Sequence, residues 1–170
     1  IHFLQELGAQ IYSVHFSLYS SALNDARVQM QQLPLDSLIE RLQRLSGLKK
    51  YLLANGLIQP KEIYTANDRL HQLASQLEKL LDGGVLDGLI FGDSYLLTIL
   101  GDTAPSVAGR LEAVPSVNFT IDSPARFNSI MELIDACGFY PPSKIAVDRS
   151  LNRRPDDLAA LSKELHRRRP

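Results

Sequence analysis

Short apolar runs alternate along this chain with stretches of helical periodicity, and each run ends in polar residues. The runs are Ile11–Phe16, Tyr51–Leu53, Leu86–Phe91, Leu111–Val117 and Ile145–Val147. Ser17, Asn55, Asp93–Ser94, Asn118 and Asp148–Arg149 close them. A strand buried on both faces needs a near-continuous apolar sequence, and a parallel neighbour needs a crossover of a dozen or more residues, usually a helix. The pattern therefore predicts an α/β fold of parallel βα repeats with about five strands. In such folds ligands bind at the carboxyl ends of the strands, so the polar tips are where a site is expected.

The segments between the runs carry start and stop signals. Ile1–Gly8 reads as a short opening helix capped by Gly8, and Leu18–Leu33 as a long polar loop or poorly formed helix at the ligand end. Ser37 and Glu40 have capping-box spacing in a helix striped by Leu35, Leu38, Ile39, Leu42 and Leu45 and ended by Gly47. A helix opening near Asn67 places Leu70, Leu73, Leu77, Leu80 and Leu81 on one face and stops at Gly83–Gly84. Asp93 reads as the N-cap of a short helix over Tyr95–Leu100, and Pro115 bulges or shortens the fourth strand. Ser123–Pro124 forms a cap and first turn for a helix burying Phe127, Ile130, Met131 and Ile134; Asp122 also reads as a cap for that helix. The last helix starts near Pro155, with Leu158, Leu161 and Leu165 facing inward.

Composition narrows the function classes. A net charge of −1 gives no global field toward nucleic acid or anionic lipid. No apolar stretch approaches the roughly 18 residues of a membrane span, and no signal peptide is visible, so a cytoplasmic location is expected. The single cysteine, Cys137, excludes an internal disulfide and an all-cysteine metal site; in the apolar last turn of a helix it reads as an inert core thiol. A full (β/α)8 barrel takes about 250 residues. The chain opens inside a helix and ends at Arg167–Pro170, where another strand falls due. Residues 1–170 therefore read as the N-terminal part of a single barrel domain, truncated at both ends.

The densest polar tip is Asp148-Arg149-Ser150-Leu151-Asn152-Arg153-Arg154. Guanidinium groups near a helix start can grip a carboxylate or phosphate by forked hydrogen bonds. The competing reading pairs Asp148 with one arginine and leaves the others solvated. Asn55 before Gly56 fits a turn as well as a ligand contact, and Asn118 is a second candidate contact. His2, His15, His71 and His166 have no metal-ligand spacing. Only His15 lies at a strand end, pointing either into the barrel or toward its helices. No Ser/His/Asp order, phosphate-binding glycine loop or carboxylate pair is present, so catalytic residues stay unassigned. The three terminal arginines suit a helix C-terminus and are too few to argue RNA binding.

The order of pieces resembles a known family. The strand ending Ile11-Tyr12-Ser13, the tip Leu53-Ala54-Asn55, the run Leu86-Asp87-Gly88-Leu89-Ile90-Phe91-Gly92-Asp93-Ser94-Tyr95-Leu96-Leu97, the tip Val114-Pro115-Ser116-Val117-Asn118 and the segment from Ile145 to Asn152-Arg153 together look like the N-terminal portion of peptidase family U32, the collagenase-like proteins. The resemblance implies a TIM-barrel-like core. It implies either a peptidase (a hydrolase) or a role in hydroxylating RNA bases or quinone precursors, with Asn55, Asn118, Arg149, Asn152 and Arg153 binding substrate. Several members hold an iron–sulfur cluster on cysteines that follow an Asn-x-Gly-Cys type strand. That strand would come after Pro170, and Cys137 matches none of those cysteines. The expectation is therefore no cofactor within this chain and an iron–sulfur cluster in the full-length protein. The expected partners are the rest of the chain or a subunit completing the barrel, and an anionic small molecule or RNA. Two alternatives stand beside this reading: a non-catalytic binding or scaffold barrel or a subunit of a heteromeric enzyme, and an α/β protein binding a phosphorylated small molecule at the Arg149/Arg153 cluster.

Overall fold

A computed structural model of the chain describes residues 11–18, 23 and 33–167. In chain order these form β1 (Ser13–Phe16), α1 (Leu35–Gln43), β2 (Lys49–Ala54), α2 (Glu62–Thr65), α3 (Asn67–Asp82), β3 (Gly88–Phe91), α4 (Ser94–Thr103), α5 (Pro105–Ala108), β4 (Glu112–Pro115), α6 (Pro124–Ala136) and α7 (Pro155–Arg167). Short 3-10 turns cover Val117–Phe119 and Arg149–Arg153. The expected opening helix lies outside the described residues, as does most of the expected loop between Leu18 and Leu33.

All four strands are parallel and lie side by side in sequence order, β1-β2-β3-β4. Helices fill the crossovers, as parallel pairing requires. The two faces of the sheet are divided by the two-residue period of its strands. Leu52 and Ala54 of β2, Leu89 and Phe91 of β3 and Ala113 of β4 are buried in the core against the helices, with Val14 and Phe16 of β1 packed on it. The alternate residues, Ser13, His15, Tyr51, Leu53, Ile90 and Val114, line a cavity on the opposite, concave face. His15 therefore points toward the barrel interior.

The helices owe their stability to these contacts. Leu73, Leu77 and Leu80 of α3 have no exposed surface, and Phe127 and Ile134 of α6 are equally enclosed. Each such side chain contributes about 1.5–3 kcal/mol relative to exposure. The stop at Gly83–Gly84 is a Schellman motif. Gly84 takes φ +67°, the Val85 N–H donates to the Leu80 carbonyl, and the Gly84 N–H donates to that of Leu81.

Four details depart from the expected pattern. α1 starts at Leu35 after Pro34 and has no side-chain cap, so Ser37 lies inside the helix instead of capping it. The cap of α6 is Ser123, whose hydroxyl accepts the Arg126 N–H at 3.4 Å; Asp122 instead gives its carbonyl to the Arg154 guanidinium at 2.8 Å. α7 packs through Leu161, while Leu158 is 38 % exposed. Finally, Ile145–Val147 follows β4 without joining the sheet, so four strands are present among the described residues. Beside β4 there is a single parallel bridge, Glu112 with Tyr140, made by the Ala113 N–H to Tyr140 O and the Tyr140 N–H to Leu111 O. Pro141 and Pro142 then withhold two successive donors. The next N–H, of Ser143, donates to the Glu112 carboxylate at 3.2 Å instead of to a strand.

Candidate functional site

The carboxyl ends of β2, β3 and β4 converge on one hydrogen-bonded platform. Gln59 is 1 % exposed, and its side-chain amide donates to the carbonyls of Ala54 at 3.4 Å and Gly56 at 3.1 Å, which pins the turn after β2. The Gly92 N–H donates to the Ala54 carbonyl at 3.1 Å. The two strand tips are so close that a Cβ on Gly92 would sit 2.5 Å from the Asn55 carbonyl oxygen. Beyond β4, Ser116 caps the Val117–Phe119 turn by accepting the Asn118 N–H at 3.3 Å. Asn118 in turn donates from Nδ2 to the Asn55 carbonyl at 3.4 Å, joining the β2 and β4 tips. The Phe119 ring meets Phe91 edge-on, with centroids 4.8 Å apart.

Asp93 supplies the third tip. As expected it caps α4, accepting the Tyr95 N–H at 2.9 Å, and its other oxygen accepts from the Tyr64 hydroxyl of α2. Burial raises the Tyr64 pKa above the ordinary tyrosine range, and the neighbouring Asp93 carboxylate adds to the effect. The hydroxyl thus stays protonated and remains a donor. These tips border a groove of about 710 Å³ whose walls include Leu57, Ile58, Tyr95, Phe119, Asn118 and Arg126.

The concave face opens beside this groove as a cavity of about 370 Å³ reached by Asn55. Within it the His15 ring stands edge-on to Tyr51, with centroids 6.0 Å apart, and its Nε2 lies 3.4 Å from Ser13 Oγ. At the opposite, amino ends of the strands lies a network that the sequence reading missed. Glu112 accepts from Tyr51 at 2.8 Å, Lys49 at 3.1 Å and the Ser143 hydroxyl at 3.0 Å, as well as from the Ser143 N–H. Lys49 also pairs with Asp87 at 3.2 Å. Burial opposes ionisation of Glu112, yet the hydrogen bonds from Tyr51, Lys49 and Ser143 prevail and hold its carboxyl below the usual range. The signal was available: a lone carboxylate inside the run Leu111–Val117, two strands from a lysine pair. Groups at this end of a parallel barrel generally serve stability, and here Glu112 fastens the segment after Tyr140 to the sheet.

The five proposed substrate contacts fall into two groups. Asn55 and Asn118 meet at the strand tips. Arg149, Asn152 and Arg153 lie exposed on a 3-10 turn anchored by the fully buried Leu151 and capped by Asp148, which accepts the Ser150 N–H at 2.8 Å. Arg154 is engaged with the Asp122 carbonyl, with Ser150 and, at 3.2 Å, with Asp157. Arg149 and Arg153 make no hydrogen bond or ion pair among the described residues. Neither the groove nor the concave cavity includes the three exposed residues. Cys137 is half-buried at the C-cap of α6, with Sγ 3.8 Å from Thr98 Oγ1. Among the described residues no group of three or more His, Cys, Asp or Glu could hold a metal ion. No described helix is long and apolar enough to cross a membrane.

The parallel sheet, its sequential order and its alternating helices define an α/β protein built as part of a TIM-like barrel. A partial barrel leaves sheet edges and a concave face for completion by further chain or a partner. The solved structure of the U32 peptidase Mk0906 has this architecture: it superposes with a TM-score of 0.61 over 95 % of this chain, at 18 % sequence identity. The chain spans 60 % of the length of that structure. No family model and no curated protein sequence matches the chain.

Proposed function

We infer that this chain is the ligand-orienting segment of a U32-like barrel enzyme, with its ligand end at the strand carboxyl termini. The observation that carries the reading is the joining of three strand tips beside one groove: Asn55 to Asn118 by a hydrogen bond, and Asp93 at the head of α4. In parallel α/β folds this is the end that hosts chemistry. Asn118 spends its Nδ2 on the Asn55 carbonyl and lines the groove, where its side-chain oxygen is suited to accept a main-chain N–H of a polypeptide, while Asn55 lines the concave cavity beside it. Arg149, Asn152 and Arg153 would contact anionic parts of a larger substrate. The nucleophile or activated water belongs to whatever completes the barrel, since the described tips hold no nucleophile–base pair.

Turnover of fluorescently labelled gelatin by the intact protein tests this reading. Asn118→Ala should lower kcat/KM at least tenfold while losing no more stability than the ~1 kcal/mol of its bond to Asn55, read from the urea midpoint. Arg110→Ala, at the far end of the sheet and paired with Asp82 at 3.0 Å, should leave turnover unchanged. Absence of gelatin cleavage, or equal loss in both variants, contradicts it.

A further inference from the structure

The groove at the strand carboxyl ends has a composition that ligand orientation by the Asn55–Asn118 platform does not require. Leu57, Ile58 and Tyr95 are 63 %, 78 % and 73 % exposed, an unusual density of bare apolar surface, and all three line this one groove. Contiguous apolar surface with a polar rim marks an interaction site. The cation in the lining is Arg126, in the first turn of α6. A cation there opposes the helix dipole. Its guanidinium makes no ion pair or hydrogen bond among the described residues; only its backbone N–H is engaged, by Ser123. The carboxylate in the lining, Asp93, is 9 % exposed and already receives Tyr64 and the Tyr95 N–H. The charge presented to an occupant is therefore positive, next to apolar walls and an asparagine.

We propose that this groove binds the C-terminal end of a polypeptide with apolar final residues. The terminal carboxylate takes the forked Arg126 guanidinium, the last side chains lie against Leu57, Ile58 and Tyr95, and a main-chain N–H donates to Asn118 Oδ1. A volume of about 710 Å³ suits a two- or three-residue tail. A planar guanidinium is the group best matched to a carboxylate. The inference rests on the ligand-end reading above and specifies what that end grips.

The test uses the intact protein and a fluorescein-labelled pentapeptide ending in Leu-Leu, as free acid and as C-terminal amide, read by fluorescence anisotropy. The acid should bind at least tenfold tighter than the amide. Arg126→Gln should reduce that preference to less than twofold. Ile58→Asp, at a position too exposed to disturb folding, should weaken both forms at least tenfold. Equal binding of acid and amide, or no binding of either, overturns the proposal. So does a preference kept in Arg126→Gln but lost in Arg153→Ala, which would move the anion contact to the 149–153 turn. Displacement by dodecanoate at concentrations below those of the peptide would also overturn it, by assigning the groove to a fatty acid. The gelatin result with Asn118→Ala is independent of Arg126. A lost acid preference with that result intact would sink the tail-binding proposal alone.

Discussion

Gly92→Ala offers a sharp structural probe, because the expected damage comes from packing and not from backbone conformation. Gly92 does not take positive φ, so alanine is conformationally acceptable there. Its new Cβ, however, would lie 2.5 Å from the Asn55 oxygen, 2.8 Å from the Asn55 carbonyl carbon and 2.8 Å from the Gly56 oxygen. All three are backbone atoms, and Gln59 holds the Gly56 carbonyl in place. Relief requires the tips of β2 and β3 to part. Overpacking of this kind costs about 1–3 kcal/mol, and losing the Gly92-to-Ala54 bond adds ~1 kcal/mol. Reduced freedom of the unfolded chain returns ~0.4–1 kcal/mol. The net loss is on the order of 2 kcal/mol, read as a lower urea midpoint at unchanged slope. Gly84→Ala is the control: nothing lies within 4 Å of its Cβ, but φ is +67°. Its left-handed conformation costs about 1 kcal/mol, without effect on gelatin turnover. Gly92→Ala should lose turnover as well, since it displaces the carbonyl that Asn118 grips. A Gly92→Ala protein within ~0.5 kcal/mol of the parent would refute the close-approach argument.

Other expectations follow from single contacts. The Glu112 carboxyl is more acidic in the fold than in the unfolded chain, so its stabilisation is full above the unfolded value near ~4.3 and disappears as pH falls through the lower folded value. Glu112→Gln should therefore flatten the acid limb of a stability-versus-pH curve, while an unchanged limb would deny Glu112 this role. Ser123→Ala should cost about 1 kcal/mol through loss of the α6 cap; Asp122→Ala, whose side chain caps nothing, should stay within ~0.5 kcal/mol in the same urea titration. Leu77→Ala, in a position with no exposed surface, should cost about 2–5 kcal/mol by calorimetry or denaturant.

Much of the architecture was legible in the chain because burial on both faces leaves an apolar run that helical periodicity interrupts. Leu70 through Leu80 and Phe127 through Ile134 pointed to their buried faces directly. Asp93 and Ser123 were readable as caps because capping is local chemistry, whereas Ser37 failed because the N-cap falls three residues earlier, at Pro34. Ile145–Val147 has the composition of a strand but lies beyond Pro141–Pro142, and strand pairing depends on a neighbour's donors as much as on a segment's own residues. The site was legible only in part. Asn55 and Asn118 lie 63 positions apart and meet because register aligns their strands. The Glu112 network escaped because charge at alternate strand positions has meaning only once the concave face is known. The role proposed for Arg126 depends on a groove assembled from four separate stretches of chain, helical residues among them, and no local pattern marks it.

The ligand site proposed here lies at the carboxyl ends of the strands. Hydrogen–deuterium exchange of the intact protein, with and without the free-acid pentapeptide, tests it most directly. Binding at that end adds protection in 55–59, 92–95 and 117–126, with no change in 140–144. Protection confined to 140–144 and the strand amino ends around Glu112 would contradict it.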